Sequence, residues 1–270
     1  MQEASLFIRS YFGHPAGVIA LVVFVALALI GLLGPIFIEE NTELLLRHES
    51  TSLFLVGARA PVLVTVLVVL VSSLVGIMLG TVYSFANVWT RLATRAVADA
   101  LLVLPVFAIA WFAIWQVDRD WRSYSMGLLI ALVACAPMIM TIGRALGRKI
   151  PSGSIRMDDI VPGDGTLQSE RILDLMLSTT SAAKYVAVFA ILFSFTLDAL
   201  FGFSMYGWGA TFEYAWDRML FLELDAMWIL PAVGTTLLAI SSHLILGTAE
   251  KILQGRADEL TADRSQANPA

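Results

Sequence analysis

Six long apolar runs dominate this sequence and limit what it can fold into. A helix that crosses the hydrocarbon core of a bilayer needs about 20 mostly apolar residues. The stretches that meet this length are residues 16–38, 62–87, 97–117, 125–146, 181–204 and 227–247. Only 14% of the 270 residues are charged, against roughly 25% in soluble domains. The sequence therefore predicts an all-α, polytopic membrane protein with six transmembrane helices.

The first 15 residues hold Arg9 and lead into the first apolar run without an A-x-A cleavage site. We therefore expect this run to remain as a membrane anchor, because a cleaved signal peptide ends in such a site. An even number of crossings places both termini on one side of the membrane.

The basic residues favour the cytoplasm as that side, since cytoplasmic loops carry an excess of Lys and Arg. With this orientation 12 of the 17 basic residues fall inside, namely Arg9, Arg91, Arg95, Arg144, Arg148, Lys149, Arg156, Arg171, Lys184, Lys251, Arg256 and Arg264. The outer loops are acidic, which suits either solvated caps or a surface that meets a soluble partner.

Several classes of chemistry are excluded by what the sequence lacks. The net charge is −5 and no basic stripe exists to bind nucleic acid. The single cysteine, Cys135, lies in an apolar run, where we expect it to serve packing. The three histidines are scattered, so no metal site is predicted. No G-x-x-x-x-G-K-[ST] loop is present, so the chain has no ATP site of its own.

Small residues and prolines mark where the predicted helices pack or bend. Gly76 and Gly80 form a G-x-x-x-G pattern, which allows membrane helices to approach closely. Pro105, Pro137 and Pro231 lie within or at the ends of runs, where kinks are tolerated if neighbouring helices satisfy the freed carbonyls. The polar sequence that begins at Leu253 predicts a cytoplasmic tail ordered only at its start.

The longest polar interruption, "SIRMDDIVPGDGTLQSERILDLML", spans residues 154–177 in the predicted cytoplasmic loop 147–180. Its two helix-compatible pieces, "IRMDDIV" and "LQSERILDLML", are joined at "PGDGT", where glycines permit a sharp turn. A short helix, a turn and a second helix leading into a span would form a lever at the membrane surface.

This loop resembles a motif of the permease subunits of ATP-binding-cassette importers, in their dipeptide/oligopeptide/nickel branch. The family motif is E-A-A, three residues, G, nine residues, I, one residue, L-P. The corresponding residues here are Asp159, Ile160, Val161, Gly165, Leu175, Leu177 and Ser178. The spacing is kept, while Pro162 enters the expected helix and Ser178 stands at the proline position.

The resemblance covers residues from about 7 to about 253 and includes other motifs. Gly57-Ala58-Arg59 matches the entry of the second span, and Asp99 with Pro105 in "DALLVLP" matches the start of the third. "LDALFGFSMYGWG" resembles a family region and places Asp198 at a usual glutamate position and Trp208-Gly209 at the family's tryptophan-glycine pair. The segment "TELLLRHE" departs from the family's GTDxxGRD.

The resemblance implies a type I importer permease fold, with a cytoplasmic N-terminus (1–15), a transmembrane permease domain (16–247) and a cytoplasmic tail (248–270). It implies a non-enzymatic transport subunit without a cofactor, located in the inner membrane of a prokaryote and moving peptides or similar small solutes. Its implied partners are a second permease subunit, two cytoplasmic ATPases and an extracytoplasmic substrate-binding protein. The residues implied to couple to the ATPase are Met157, Asp158, Asp159, Ile160, Val161 and Gly165.

Three acids and bases within or near the runs remain open to more than one interpretation. Asp198 is embedded in apolar sequence, so it either lines the pathway or a partner interface, or forms a buried hydrogen bond to a neighbouring helix, for example with Ser194 or Thr196. Trp208 is also a candidate for the pathway or the interface. Arg95 and Asp99 are expected to form a solvated pair near the cytoplasmic edge.

Two alternative functions follow from other features. A membrane scaffold that keeps the permease fold but no longer transports fits the altered loop motif. An intramembrane serine protease would pair Ser204 in "GFSM" with His243. Met205 replaces the second glycine of the G-x-S-G turn, and Ser204 and His243 are predicted near opposite ends of their spans.

Overall fold

The computed structural model describes residues 2–40, 54–55, 57–118, 121–148, 165–202, 207–219 and 229–267. This part of the chain is almost entirely helical, which confirms the predicted all-α class. Its longer helices are α1 (Gln2–Phe12), α2 (Pro15–Glu40), α3 (Arg59–Phe85), α4 (Val88–Val103), α5 (Val106–Gln116), α6 (Arg122–Arg148), α7 (Gly165–Phe201), α8 (Trp208–Met219) and α9 (Ile229–Ala267).

Five helices are each long and apolar enough to cross a membrane: α2, α3, α6, α7 and α9. They contain most of the corresponding predicted runs. The sixth candidate is the pair α4 and α5, which meets the same criteria only when its two bent halves are taken together. The chain is therefore built as a multi-pass membrane protein, with a third span that is broken.

The broken span differs from the prediction, which placed a single helix over 97–117. Helix α4 already begins at Val88, because the side-chain oxygen of Asn87 accepts a hydrogen bond from the Thr90 amide at 2.9 Å and caps the helix. The helix ends before Pro105, which has no N–H to continue the helical hydrogen bonds, and the axes of α4 and α5 are bent by 63° relative to each other. The predicted start of this helix was wrong, while the break lies at Pro105, one of the prolines at which a kink was expected.

Helices α3 and α6 run in the same direction, and this determines whether the broken span of α4 and α5 crosses the membrane. Along the pair, Gly127 faces Leu67, Gly76 faces Met138 and Gly80 faces Ile142, so residue numbers rise together. Two neighbouring parallel spans need an odd number of crossings between them. The segment of α4 and α5 must therefore return the chain across the membrane, which makes six crossings.

The other contacts fix the remaining directions. Gly31 of α2 lies against Ala58 and Arg59, so α2 ends at the face where α3 begins. Helices α7 and α9 are antiparallel, since Lys184 near the start of α7 pairs with Glu250 in the later part of α9, while Trp208 at the start of α8 lies against Gly234 near the start of α9.

Gly17 near the start of α2 lies against Thr248 of α9. The starts of α2 and α7, the end of α6 and the later part of α9 thus share one face, which we call the loop face.

The two halves of the predicted G-x-x-x-G motif contact α6 closely, as expected. A Cβ added at Gly76 would lie 2.6 Å from the Cβ of Met138, and one at Gly80 would lie 3.0 Å from the Cβ of Ile142. At the loop-face end, the Ser84 hydroxyl bridges the carbonyls of Gly80 and Gly143, at 2.8 and 3.1 Å. Cys135 is buried, in line with its predicted packing role.

Helices α7 and α9 are longer than a membrane crossing needs. They contain 37 and 39 residues, or about 55 and 58 Å at 1.5 Å per residue, against a hydrocarbon core of about 30 Å. The polar tail was predicted to be ordered only at its start, but α9 continues through it to Ala267. Both helices therefore project beyond the bilayer at the loop face.

Candidate functional site

The predicted ATPase-coupling residues fall mostly outside the described part of the chain. Met157, Asp158, Asp159, Ile160 and Val161 lie outside the described residues. Gly165, the glycine of the motif, is the first residue of α7. The predicted second helix of the loop, "LQSERILDLML", is confirmed, and it is continuous with the fifth span.

The second half of the loop motif packs on the bundle rather than standing free. Leu175 is partly buried against the main apolar core. Ser178, at the position of the family's proline, is buried and donates its hydroxyl to the carbonyl of Leu175 at 3.1 Å. A serine there keeps its backbone N–H, so nothing at this position breaks the helix. One helix consequently joins Gly165 to Phe201.

Asp198 lies near the far end of α7 and caps a different helix. Its side chain is only 3% exposed. One carboxylate oxygen accepts hydrogen bonds from the backbone N–H groups of Gly209 and Ala210, at 3.1 and 3.2 Å. These are among the N-terminal amides of α8 that have no partner within their own helix, and a negative charge is favoured at that end. Asp198 therefore anchors α8 to α7.

The partners of Asp198 are not those considered from the sequence. The Ser194 and Thr196 hydroxyls donate to carbonyls of their own helix, those of Ile191 and Leu192, at 3.0 and 2.9 Å. The geometry thus favours the hydrogen-bonded structural role for this acid, with backbone amides of α8 as its partners. The sequence contains no direct sign of this, because α8 follows only after residues 202–207.

Glycines make the contact between α7 and α8 possible. A Cβ at Gly207 would overlap the Asp198 carboxylate, and one at Gly209 would overlap the backbone carbonyl of Phe195. Gly202, just after α7, has a φ of 58° and donates its N–H to the Asp198 carbonyl at 2.8 Å. This left-handed position ends the helix as a glycine C-cap commonly does and turns the chain toward α8.

Trp208 ties α8 to two other parts of the bundle. It is 1% exposed, and its indole N–H donates to the Phe54 carbonyl at 2.9 Å. The rings of Trp208 and Phe54 are stacked with centroids 5.2 Å apart. A Cβ at Gly234 of α9 would lie 2.8 Å from the indole, so only glycine leaves room for the ring there. The structure brings together the two pathway or interface candidates, Asp198 and Trp208.

A small cavity of about 10 Å³ lies beside these two residues, lined by Ala60, Pro61, Met126, Ser194, Phe195, Asp198, Trp208 and Gly209. This is about the smallest volume that can hold one water molecule. Asp198 and Trp208 thus pack closely where α7, α8 and α9 meet, at the face opposite the loop face.

A second polar cluster, which the sequence analysis did not identify, joins α7 and α9 near the loop face. The Lys184 ammonium and the Glu250 carboxylate are 2.5 Å apart, with side chains 14% and 21% exposed. The Lys184 ammonium lies over the Tyr185 ring, 5.0 Å from the ring centroid, and this ring also contacts the His243 ring. The sequence signal for this pair was a lysine near the start of the fifth apolar run and a glutamate just after the end of the sixth, because antiparallel spans bring these two positions to the same face.

The geometry gives no support to a serine protease. Ser204 lies outside the described residues, while His243 contacts Tyr185. Tyr185 precedes the end of α7 by 16 residues, or about 24 Å along a helix. His243 is thus far from the end of α7 that leads to Ser204. Among the described residues, no group of three or more His, Cys, Asp or Glu side chains converges to hold a metal.

No protein-family model matches the chain, and no curated protein sequence matches it.

Proposed function

We propose that this chain is the membrane-spanning permease subunit of an ATP-binding-cassette importer for peptides or similar small solutes. The loop face is then cytoplasmic, and the 154–177 segment receives movement from an ATPase. The chain forms the pathway with a second permease subunit, and an extracytoplasmic binding protein delivers the solute. It hydrolyses no ATP itself.

The observation that carries this proposal is the continuity of α7. The helix begins at Gly165 in the loop motif and runs without a break to Phe201, with the Asp198 cap near its far end. A displacement applied at Gly165 would be transmitted along about 55 Å of rigid helix, because a helix moves as a unit. The joint of Asp198 and Trp208 would pass that movement to α8 and α9 at the opposite face.

The first test is purification of the intact complex from native membranes. We expect the chain to bring with it an ATPase and a similar permease, and the ATPase activity of the complex to rise when the substrate-binding protein is added. A non-transporting scaffold would give neither the second permease nor the stimulation. Recovery of the chain without any ATPase would overturn the proposal.

The second test addresses the loop motif. Gly165→Trp should abolish stimulation of ATP hydrolysis by the binding protein while the complex still assembles. The matched control is Gly255→Trp in α9, where no atom lies within 4 Å of an added Cβ. If Gly165→Trp left coupled transport unchanged, the assignment of residues 157–165 as the coupling element would be wrong.

A further inference from the structure

The corner between α3 and α4 lies at the level of the membrane edge on the loop face. Just before the corner, the Ser84 hydroxyl donates a hydrogen bond to the Gly143 carbonyl of α6 at 3.1 Å. The 21 residues of α6 between Arg122 and Arg144 carry no charge. They span about 32 Å, close to the hydrocarbon thickness of about 30 Å. The hydrocarbon therefore ends near Gly143, beside the corner.

The lengths of the two halves of the broken span lead to the same level. Helix α5 has 11 residues, or about 16 Å, so if it stands upright α4 supplies about 14 Å with about its last nine residues, back to Arg95. If α4 stands upright instead, the 63° bend leaves α5 about 7 Å of depth, and about 15 residues of α4 are needed, back to Trp89. In both cases the first two turns of α4 lie where hydrocarbon gives way to headgroups.

These two turns present a mixed apolar and basic surface that no other described part of the chain covers. The residues of this helix that are buried, Thr94 and Ala98, lie on a different side of it. Positions three and four residues apart are neighbours on a helix, so the exposed side chains form one continuous area. We call it the corner patch, and its members are Val88, Trp89, Arg91, Leu92 and Arg95.

The charge of the corner patch suits a phosphate group. Both of its charged residues are basic, and no acidic residue lies in the sequence between Glu49 and Asp99. Arg91 donates one N–H to the Ser84 carbonyl at 3.0 Å. The pair of Arg95 and Asp99 is loose, at 3.8 Å, and both side chains are more than half exposed. Since a guanidinium has five N–H donors, each arginine keeps several for an oxyanion.

The apolar part of the corner patch suits the acyl side of the same boundary. Tryptophan is enriched at membrane–water interfaces, and arginine there lays its stem on apolar surface while its head reaches the headgroups. The excess of basic residues predicts that the loop face is cytoplasmic, and the cytoplasmic leaflet is the one that carries anionic lipid.

We propose that the corner patch is a phospholipid site in the loop-face leaflet. Arg91 and Arg95 bind the phosphate of an anionic headgroup, and Trp89 and Leu92 contact its acyl chains. The site requires a bilayer around the chain and is independent of whether the chain transports a solute.

Thermal unfolding of the full-length protein in detergent tests the contact with phosphate. Samples receive phosphatidylglycerol, phosphatidylcholine or inorganic phosphate. We expect phosphatidylglycerol to raise the melting temperature by at least about 3 °C more than phosphatidylcholine, because a ligand that binds only the folded state stabilises it. Inorganic phosphate alone should have no effect, since it lacks the acyl chains.

The double variant Arg91→Gln, Arg95→Gln should lose most of this difference between the two lipids. The matched control is Arg122→Gln, which removes one positive charge at the opposite membrane edge and should keep the difference. If the double variant kept the full difference, or if inorganic phosphate reproduced it, the corner patch would not be a lipid site.

Spin labels test the contact with acyl chains without changing the arginines. In a Cys135→Ala background, nitroxides at Val88→Cys and Leu92→Cys report collisions with oxygen, which concentrates in lipid, and with a water-soluble nickel chelate. The references are Leu74→Cys on the exposed apolar face of α3 and Leu260→Cys in the part of α9 that projects beyond the bilayer. Each folded variant is reconstituted alone in vesicles of phosphatidylglycerol and phosphatidylcholine.

We expect the labels at both corner positions to collide more with oxygen than with the nickel chelate, as at Leu74→Cys. Collision with the chelate as frequent as at Leu260→Cys would place the patch in water and overturn the proposal. Infrequent collision with both reagents would also overturn it, because a second copy of the chain would then cover the patch. None of these outcomes depends on an ATPase, so the proposed transport function is tested separately.

Discussion

Asp198 joins α7 to α8 at the face opposite the loop face. Its carboxylate accepts hydrogen bonds from the Gly209 and Ala210 amides at the start of α8, although nine residues of chain lie between it and Trp208. A negative charge at a helix N-terminus also interacts favourably with the helix dipole. This carboxylate therefore holds the start of α8 against α7.

Replacing this carboxylate should destabilise the fold more than replacing its neighbours. We expect Asp198→Ala to lower the free energy of unfolding by about 2–3 kcal/mol, because two buried amides lose a charged acceptor. Thermal unfolding in detergent measures this effect. Thr196→Ala is the matched control, since its exposed hydroxyl bonds only its own helix. Equal melting temperatures for the two variants would show that the cap contributes nothing.

At the scale of helix pairs, the contact of α3 with α6 depends on the missing side chain of Gly76. A methyl group there would approach the Met138 Cβ to 2.6 Å, and a Cβ is too rigidly held to move aside. We expect Gly76→Ala to cost about 1–3 kcal/mol by overpacking.

The control for this substitution is Gly255→Ala, in helix α9, where an added Cβ meets nothing within 4 Å. That change should be neutral or stabilising by about 0.5–1 kcal/mol, since glycine weakens a helix interior relative to alanine. Both are measured by the same thermal unfolding assay. Similar losses in the two variants would contradict close packing of α3 on α6.

The ion pair between α7 and α9 should be strongly coupled, because Lys184 and Glu250 are mostly shielded from water. Removing one partner leaves a poorly solvated charge, so Lys184→Met and Glu250→Gln should each cost about 2–3 kcal/mol. The double variant should recover part of this loss, with a coupling energy of about 1–3 kcal/mol.

The exposed pair of Arg95 and Asp99 provides the comparison for that cycle. If water covers it, the coupling energy between Arg95→Gln and Asp99→Asn should stay within about 0.5 kcal/mol, as for surface pairs on one helix. Double-mutant cycles on unfolding in detergent measure both couplings. A coupling at the first pair no larger than at the second would show that Lys184 and Glu250 do not hold α7 to α9.

At the scale of the whole molecule, the sequence predicted the membrane-spanning class and most span positions because apolar length alone decides whether a helix can cross a bilayer. Hydropathy missed the features that hydrogen bonds and ion pairs determine. One is local: the Asn87 side chain caps α4, so the helix begins earlier than hydropathy indicates. Others join distant parts of the chain. Asp198 finds its partners across a turn, and Lys184 finds Glu250 66 residues away. Such pairings depend on how helices are placed, which hydropathy does not encode.

The whole-molecule arrangement predicts six crossings, with the starts of α2 and α7 and the later part of α9 on one side, and the excess of basic residues at that side predicts that it is cytoplasmic. The bent pair of α4 and α5 is the decisive element, because parallel α3 and α6 require it to cross. Alkaline phosphatase fused after Asp118 should be active, since this reporter works only outside the cytoplasm. Fusions after Arg148 and at the C-terminus should be inactive, and green fluorescent protein at the same points should give the opposite pattern. An inactive phosphatase after Asp118 would mean that α4 and α5 enter and leave by one face, which the parallel packing of α3 on α6 does not permit.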